Sequence, residues 1–160
     1  MATDLSEYVD SLRREVEPLG SDAFAAVINS QWTSYLSDAF WEAKLDGFFT
    51  EWSCDVDGIV DGNTEFPRQG IQLCVIYAGV RVLRNKVLNT STKFRAKAGD
   101  VEYEQESGAL MLSEMLKQLK AQKEMLLTRA EETGSTVAVF DALSVRENSM
   151  LSYYGGWELT

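Results

Sequence analysis

The sequence contains no histidine, only two cysteines and only two prolines. Without histidine, the chain lacks the side chain that most often serves as general acid, general base or neutral metal ligand. Cys54 and Cys74 match no zinc-ligand spacing, so we expect them to be free thiols in a reducing compartment. The sequence also has no phosphate-binding glycine loop and no nucleophile motif. We therefore expect no catalytic, cofactor-binding or metal-binding residues, and we expect that the protein is not an enzyme.

Long apolar runs are also missing. No segment approaches the roughly 20 apolar residues that a membrane-spanning helix requires. The N-terminus is acidic and has no apolar run of the kind found in signal peptides. We therefore expect that the protein is made in a cytoplasm and that it does not contact a membrane. Because 45% of the residues are hydrophobic, the chain should form one globular body with a single core.

Charge is distributed unevenly within a net charge of −10. Residues 1–66 carry 14 acidic and three basic side chains, whereas residues 67–99 carry seven basic side chains and no acidic one. The overall negative charge argues against a general nucleic-acid binder, although the local basic island keeps a backbone contact open. We predict that the island faces a neighbouring subunit or DNA. Its predicted members are Arg81, Arg84, Lys86, Lys93, Arg95 and Lys97.

Apolar residues that recur every three or four positions predict a mainly α fold, a small bundle of about four helices. The central helix, residues 67–89, carries two adjoining apolar stripes, so other helices should cover it on more than one side. The other helices are predicted at roughly 3–17, 22–46 and 107–133. The aromatic residues of the second helix fit either core packing or a partner surface.

Two segments between these helices are predicted to be extended. Apolar and polar residues alternate around Asp57-Gly58, which predicts a β-hairpin near 52–61 with a two-residue turn. Residues 90–108 alternate in the same way, first with basic and then with acidic side chains, and predict an extended loop. That loop is either solvated or docks between neighbouring subunits.

The C-terminal segment differs from the rest of the chain. We predict a helical domain over residues 1–134 and an extended docking arm over 135–160, which begins with a short strand or extended run at 137–140. Aromatic residues beside paired glycines should dock on the bundle or on a partner, and aromatic anchors favour a partner. The predicted docking residues are Val137, Val139, Phe140, Tyr153, Tyr154 and Trp157.

The order of these parts resembles the head-to-tail adaptor, or connector, proteins in the neck of tailed bacteriophages. A short acidic helix precedes an aromatic helix that ends in SDAFWEAKLDGFF, and a DG hairpin follows. The most specific part runs from Tyr77 to Leu119, where K-A-G and V-E separate an alanine-bearing helix from a leucine-rich one. The resemblance covers roughly residues 22–127.

The resemblance implies a structural virion protein at the head-tail junction, assembled in the host cytoplasm. Adaptors of this family form a ring, usually of twelve subunits, beneath the portal protein. The ring extends the channel for genomic DNA and receives a stopper or tail-terminator protein. The family's C-terminal arm clips onto the portal, a role that would fall here to residues 137–160, with Tyr153, Tyr154 and Trp157 as anchors.

Two alternatives remain open on the sequence alone. The basic island would also suit a regulatory helical protein that binds nucleic acid, with an affinity that falls steeply with salt. A helical bundle would equally suit a scaffold of another assembly.

Overall fold

The computed structural model describes residues 2–17, 24–94, 102–134, 139, 140 and 143, and it describes their side chains except at 90–94 and 102–109. Helices dominate this part of the chain, with a small antiparallel sheet at one side, so the predicted mainly α bundle with a hairpin is confirmed. The elements are β1 (Thr3–Asp4), a 3-10 helix (Leu5–Tyr8), α1 (Val9–Val16), α2 (Asn29–Leu45), β2 (Trp52–Cys54), β3 (Ile59–Gly62), α3 (Arg68–Phe94) and α4 (Glu102–Thr133).

The α3 helix is the centre of the bundle, and α1, α2 and α4 all pack against it. Residues of both predicted stripes are buried, among them Leu73, Ile76 and Val82. Burial on all sides explains why this helix shows no single polar face over its first half. Each fully buried aliphatic side chain of this kind stabilises the fold by about 1.5–3 kcal/mol relative to an exposed one.

A glycine lets three helices approach one another closely. A Cβ atom at Gly79 would lie 2.9 Å from Leu119 Cδ1 and 3.5 Å from Val16 Cγ1. The α1 and α4 helices therefore meet on the same side of α3 at this point. Tyr77, two residues earlier, contacts Lys123, four residues after Leu119, so α3 and α4 run antiparallel.

The N-terminal segment has the predicted buried face but not the predicted continuous helix. Leu5, Val9, Leu12 and Val16 are all buried. The segment nevertheless begins with β1, which pairs with Ile59 and Val60 in β3 and makes the hairpin a three-stranded sheet in the order β1-β3-β2. The Leu5 N–H, at the start of the 3-10 helix, donates to the Gly58 carbonyl at 2.9 Å and joins this segment to the hairpin.

The second helix begins at Asn29 and not near residue 22. The indole N–H of Trp32 is buried and donates to the Val27 carbonyl at 3.2 Å. In a continuous helix that carbonyl would accept from the Gln31 N–H, which instead donates to the Ile28 carbonyl at 3.0 Å. Phe24 still reaches the core, edge-on to Trp32 with ring centroids 5.7 Å apart.

The predicted hairpin is present, but its turn is longer than predicted. Asp55–Gly58 connects β2 to β3, and the Asp55 carboxylate accepts the backbone N–H groups of Asp57 at 3.0 Å and Ile59 at 2.9 Å. Gly58 has a φ of +84°, a conformation that a residue with a side chain rarely adopts. The Asp-Gly pair thus supplies the bend, while Asp55 holds the turn together.

The predicted extended loop at 90–108 is wrong wherever the structure describes it. The α3 helix continues to Phe94 and α4 begins at Glu102. Within the segment 90–108, only residues 95–101 lie outside the described residues. The alternation in this segment is an alternation of charge with small or aromatic residues. It has no apolar partner face, and Lys, Glu and Gln are good helix formers.

Candidate interaction surfaces

The predicted basic island does not form one patch. Arg81 pairs with Asp38 of α2 at 3.2 Å, whereas the ammonium of Lys86 lies 5.5 Å from the ring centroid of Phe24. Arg84 is exposed and lies about 160° from Lys86 around the helix. Lys93 is part of α3 with an undescribed side chain, and Arg95 and Lys97 lie outside the described residues. The structure therefore places Arg81 and Arg84 on one side of α3 and Lys86 on the other.

The start of the predicted docking arm belongs to the bundle. Val139 is fully buried and Leu143 is 3% exposed, and Phe140 packs against the same core. Val139 and Phe140 have a helical backbone and not the predicted extended one. Val137, Tyr153, Tyr154 and Trp157 lie outside the described residues. The core thus extends past the predicted boundary at residue 134 to Leu143, and Val139 offers no exposed surface to a partner.

The aromatic residues of α2 divide between the core and one exposed flank of the helix. Trp32 and Phe40 are fully buried, while Trp41 is 44% exposed. Leu45, one turn after Trp41 on the same flank, is 87% exposed. The ammonium of Lys44 lies 5.3 Å from the Trp41 ring centroid. This flank of α2 combines an aromatic anchor, an aliphatic side chain and a cation, a combination typical of interface centres.

A second exposed apolar surface lies on α4. It consists of Leu110, which is 71% exposed, and the neighbouring Met111, which is also exposed. Met125 is 60% exposed but lies about 21 Å further along the helix, so it is a separate exposed apolar side chain. The predicted inner face of the same helix is confirmed, because Leu112, Leu119 and Leu126 are buried. Methionine side chains adapt their shape to different neighbours, which suits a contact surface.

A cleft of about 260 Å³ lies where α2 and α4 both end. It is lined by Asp46, Gly47, Phe48, Leu127, Ala130, Glu131 and Gly134. Its walls combine apolar side chains with two carboxylates. Sequence reasoning missed this cleft, because its two halves are about 80 residues apart and no local pattern connects them.

A network of polar contacts lies beside the cleft and includes one of its lining residues, Asp46. The Tyr77 hydroxyl donates to Asp46 Oδ2 at 2.7 Å, and the ammonium of Lys123 lies 4.1 Å from the Tyr77 ring centroid. Lys123 also forms an ion pair with Glu42. These contacts join α2, α3 and α4, and they fix how the two helix ends that form the cleft are placed.

Alkaline pH should destabilise the fold through buried groups, of which Cys74 and Tyr77 have the largest rises in pKa; burial also raises the pKa of the Cys54 thiol. Burial raises the pKa of the Cys74 thiol, and burial together with the hydrogen bond to Asp46 raises the pKa of the Tyr77 hydroxyl. The unfolded chain ionises near pH 8.5 at cysteine and near pH 10 at tyrosine, with roughly these values in peptides. Stability is therefore full below about pH 8.5 and falls as the pH rises, by up to about 1.4 kcal/mol per pH unit for each group.

Urea unfolding of the wild type between neutral pH and about pH 10.5 checks this expectation. Cys74→Ala should reduce the decline that begins near pH 8.5 and leave the share due to Cys54, and Tyr77→Phe should flatten only the part above about pH 10. An unchanged decline in both variants would contradict the assignment to these two groups.

The described residues contain no group of three cysteine or acidic side chains placed to hold a metal ion. None of the helices in the described part of the chain combines the length and the apolar character needed to cross a membrane. Comparisons with protein-family models, curated proteins and solved structures found no significant match to this chain.

Proposed function

We propose that this chain is a structural virion protein of a tailed bacteriophage, a head-to-tail adaptor that forms a ring beneath the portal. The observation that carries the proposal is the presence of two distinct apolar surfaces on one folded bundle. One is Trp41 with Leu45 on α2, and the other is Leu110 with Met111 on α4. A closed ring needs two different patches on every subunit, because each subunit contacts its two neighbours through different surfaces.

The helix order that resembles the adaptor family also supports this function. The acidic balance of the chain suits a channel for DNA, since like charge lets the duplex slide without adhering. The proposed ring has twelve subunits, the usual number in the adaptor family, and would contact the portal above and a stopper or tail-terminator protein below. No enzymatic activity is part of the proposal.

The portal-docking role is now assigned to a shorter arm. Because Val139 and Leu143 are buried in the bundle, the proposed arm is residues 144–160, with Tyr153, Tyr154 and Trp157 as its anchors. Tyrosine and tryptophan are enriched among the residues that dominate binding energy at interfaces.

The nucleic-acid-binding alternative has less support. Arg81 already pairs with Asp38, and Lys86 lies over Phe24 on another side of the helix. Recognition of a nucleic-acid duplex requires several cations on one surface, whereas the described basic side chains of α3 lie on different sides of the helix.

Purified phage particles test the proposal. Cryo-electron microscopy should show a ring of this chain between portal and tail. The triple variant Tyr153→Ala/Tyr154→Ala/Trp157→Ala should fold normally but should fail to join the portal, whereas Val56→Ala, at an exposed hairpin residue, should join it. Particles that lack the chain would overturn the proposed function, and normal attachment of the triple variant would overturn the role of the arm.

A further inference from the structure

The cleft between α2 and α4 has the chemistry of a receptor for a long cationic side chain. Each helix C-terminus carries a partial negative charge of about half an electron, and two such ends meet here. The last turn of α4 contains no basic residue. Lys44, in the last turn of α2, donates instead to the Trp52 carbonyl. Asp46 and Glu131 add carboxylates to this end of the bundle.

The apolar part of the cleft narrows the choice of occupant. Phe48 is buried, and Leu127 and Ala130 are partly buried, so these three side chains form a wall with little polar surface. The aliphatic stem of an arginine or lysine packs well on such a wall while its charged end reaches the carboxylates. Arginine is the more frequent anchor at protein interfaces.

Arg84 is exposed and could occupy such a cleft, but it lies far from the cleft of the same subunit. The Arg84 side chain forms no ion pair with any described residue, whereas Arg81 on the same side of α3 has Asp38 as its partner. Arg84 lies about 10 Å beyond Tyr77 along α3. Lys123 of α4 lies level with Tyr77, and α4 runs antiparallel to α3. The cleft residues of α4 therefore lie on the other side of Tyr77 from Arg84, about 6–16 Å from Tyr77 along the helix axis. An arginine side chain does not bridge that separation within one subunit.

We propose that the cleft receives Arg84 from a second copy of this chain. This inference rests on the proposed ring and specifies its subunit contact. A contact between one end of a subunit and the other end of the next is a heterologous contact, which propagates until the ring closes. The charges are complementary: the cleft carries the carboxylates of Asp46 and Glu131, and Arg84 is an exposed cation at the other end of the bundle.

Charge reversal at the two exposed positions provides the first test. Arg84→Glu and Glu131→Lys should each weaken self-association of the full chain about tenfold or more at low salt, measured by analytical ultracentrifugation. The double variant Arg84→Glu/Glu131→Lys restores opposite charges across the contact and should recover most of the loss. Glu124→Lys, at another exposed position on α4, is the matched control and should have little effect.

The outcomes of this test are distinct. Single variants that associate like the wild type would overturn the contact, and so would a double variant that is weaker than both single ones. A wild type that remains monomeric at the highest soluble concentration would overturn it as well.

Cross-linking provides the second test and reports the geometry. The double variant Asn85→Cys/Glu132→Cys places a thiol beside each member of the pair and keeps Arg84 and Glu131. Treated with a short bis-maleimide, it should give a ladder of products beyond the dimer. The native thiols are buried and should not compete, since Cys54 is 6% exposed and Cys74 is fully buried. Products that stop at the dimer would indicate a self-complementary contact and would overturn the head-to-tail arrangement, as would the absence of any product. Asn85→Cys/Glu124→Cys, which also keeps Arg84 and Glu131, is the control.

The two proposals fail separately. A ring in the phage neck combined with no ladder would remove the Arg84 contact and leave the adaptor function intact. A ladder from a protein that no phage particle contains would leave the contact and remove the adaptor function.

Discussion

A chain that ends at Gly134 should be much less stable than a chain that ends at Leu143. The shorter chain loses Val139 and Leu143, which are 0% and 3% exposed in the core. Burial of each side chain contributes about 1.5–3 kcal/mol, so the free energy of unfolding should fall by about 3–6 kcal/mol. That is a large share of the total stability of a typical domain, which is about 5–15 kcal/mol. The chain that ends at Leu143 keeps both side chains and should retain nearly the full stability.

Urea unfolding of the two truncated chains and the full-length protein measures this difference. Leu143→Ala in the full-length chain isolates one of the lost side chains and should cost about 2–5 kcal/mol. Leu110→Ala, at a position that is 71% exposed, is the matched control and should change stability by less than about 0.5 kcal/mol. Equal stability of the two truncated chains would show that residues 139–143 contribute nothing to the core.

The same comparison separates folding from attachment. Removal of residues 135–160 as a whole would confound a loss of portal binding with a loss of stability, because the deletion includes core residues. Removal of residues 144–160 leaves every described residue in place. The shorter deletion is therefore the appropriate test of the docking arm.

Apolar periodicity was sufficient to predict the helices and the faces they bury. The positions Leu73, Ile76 and Leu83 of α3 and Leu112, Leu119 and Leu126 of α4 repeat at helical spacing, and all six are buried. Periodicity is informative here because each of these helices buries residues along much of its length. The last turn of α4 was also predictable, since Gly134 follows Thr133 with a φ of +60°, which glycine adopts readily.

Helix ends and short elements were less predictable, because single tertiary contacts decide them. The start of α2 depends on the indole N–H of Trp32 and the Val27 carbonyl, which no local pattern encodes. The strand at Thr3–Asp4 is too short to show alternation, and it forms only because β3 offers a free edge. Val139 lies in a run of β-branched and aromatic residues, whose local preference for a strand is overridden by burial against the bundle.

The candidate surfaces were predictable only in part. The charge counts identified the basic segment, but the direction of each side chain separated Arg84 from Lys86. The cleft joins residues 46–48 with residues 127–134, so it exists only once α2, α3 and α4 have packed. Sequence composition thus predicted that the protein has contact surfaces, and the packing of the helices determined where the candidate surfaces lie.

Phe40 and Trp41 are neighbours in sequence and should respond to substitution in opposite ways. Phe40 is fully buried, stacked on Phe49 with ring centroids 5.1 Å apart and close to Phe66 at 5.8 Å. Phe40→Ala should therefore lower the free energy of unfolding by about 3–5 kcal/mol. Trp41 is 44% exposed, and Trp41→Ala should cost less than about 1 kcal/mol.

Association should show the reverse order of effects. If the outer flank of α2 is a subunit or partner contact, a central tryptophan there contributes about 2 kcal/mol or more, so Trp41→Ala should weaken assembly about 30-fold. Analytical ultracentrifugation and incorporation into phage particles measure this effect, and Trp41→Phe should retain part of the binding. Assembly of Trp41→Ala at wild-type strength would exclude this flank from the interface. The α4 surface and the acidic cleft would then remain as the proposed contacts between subunits.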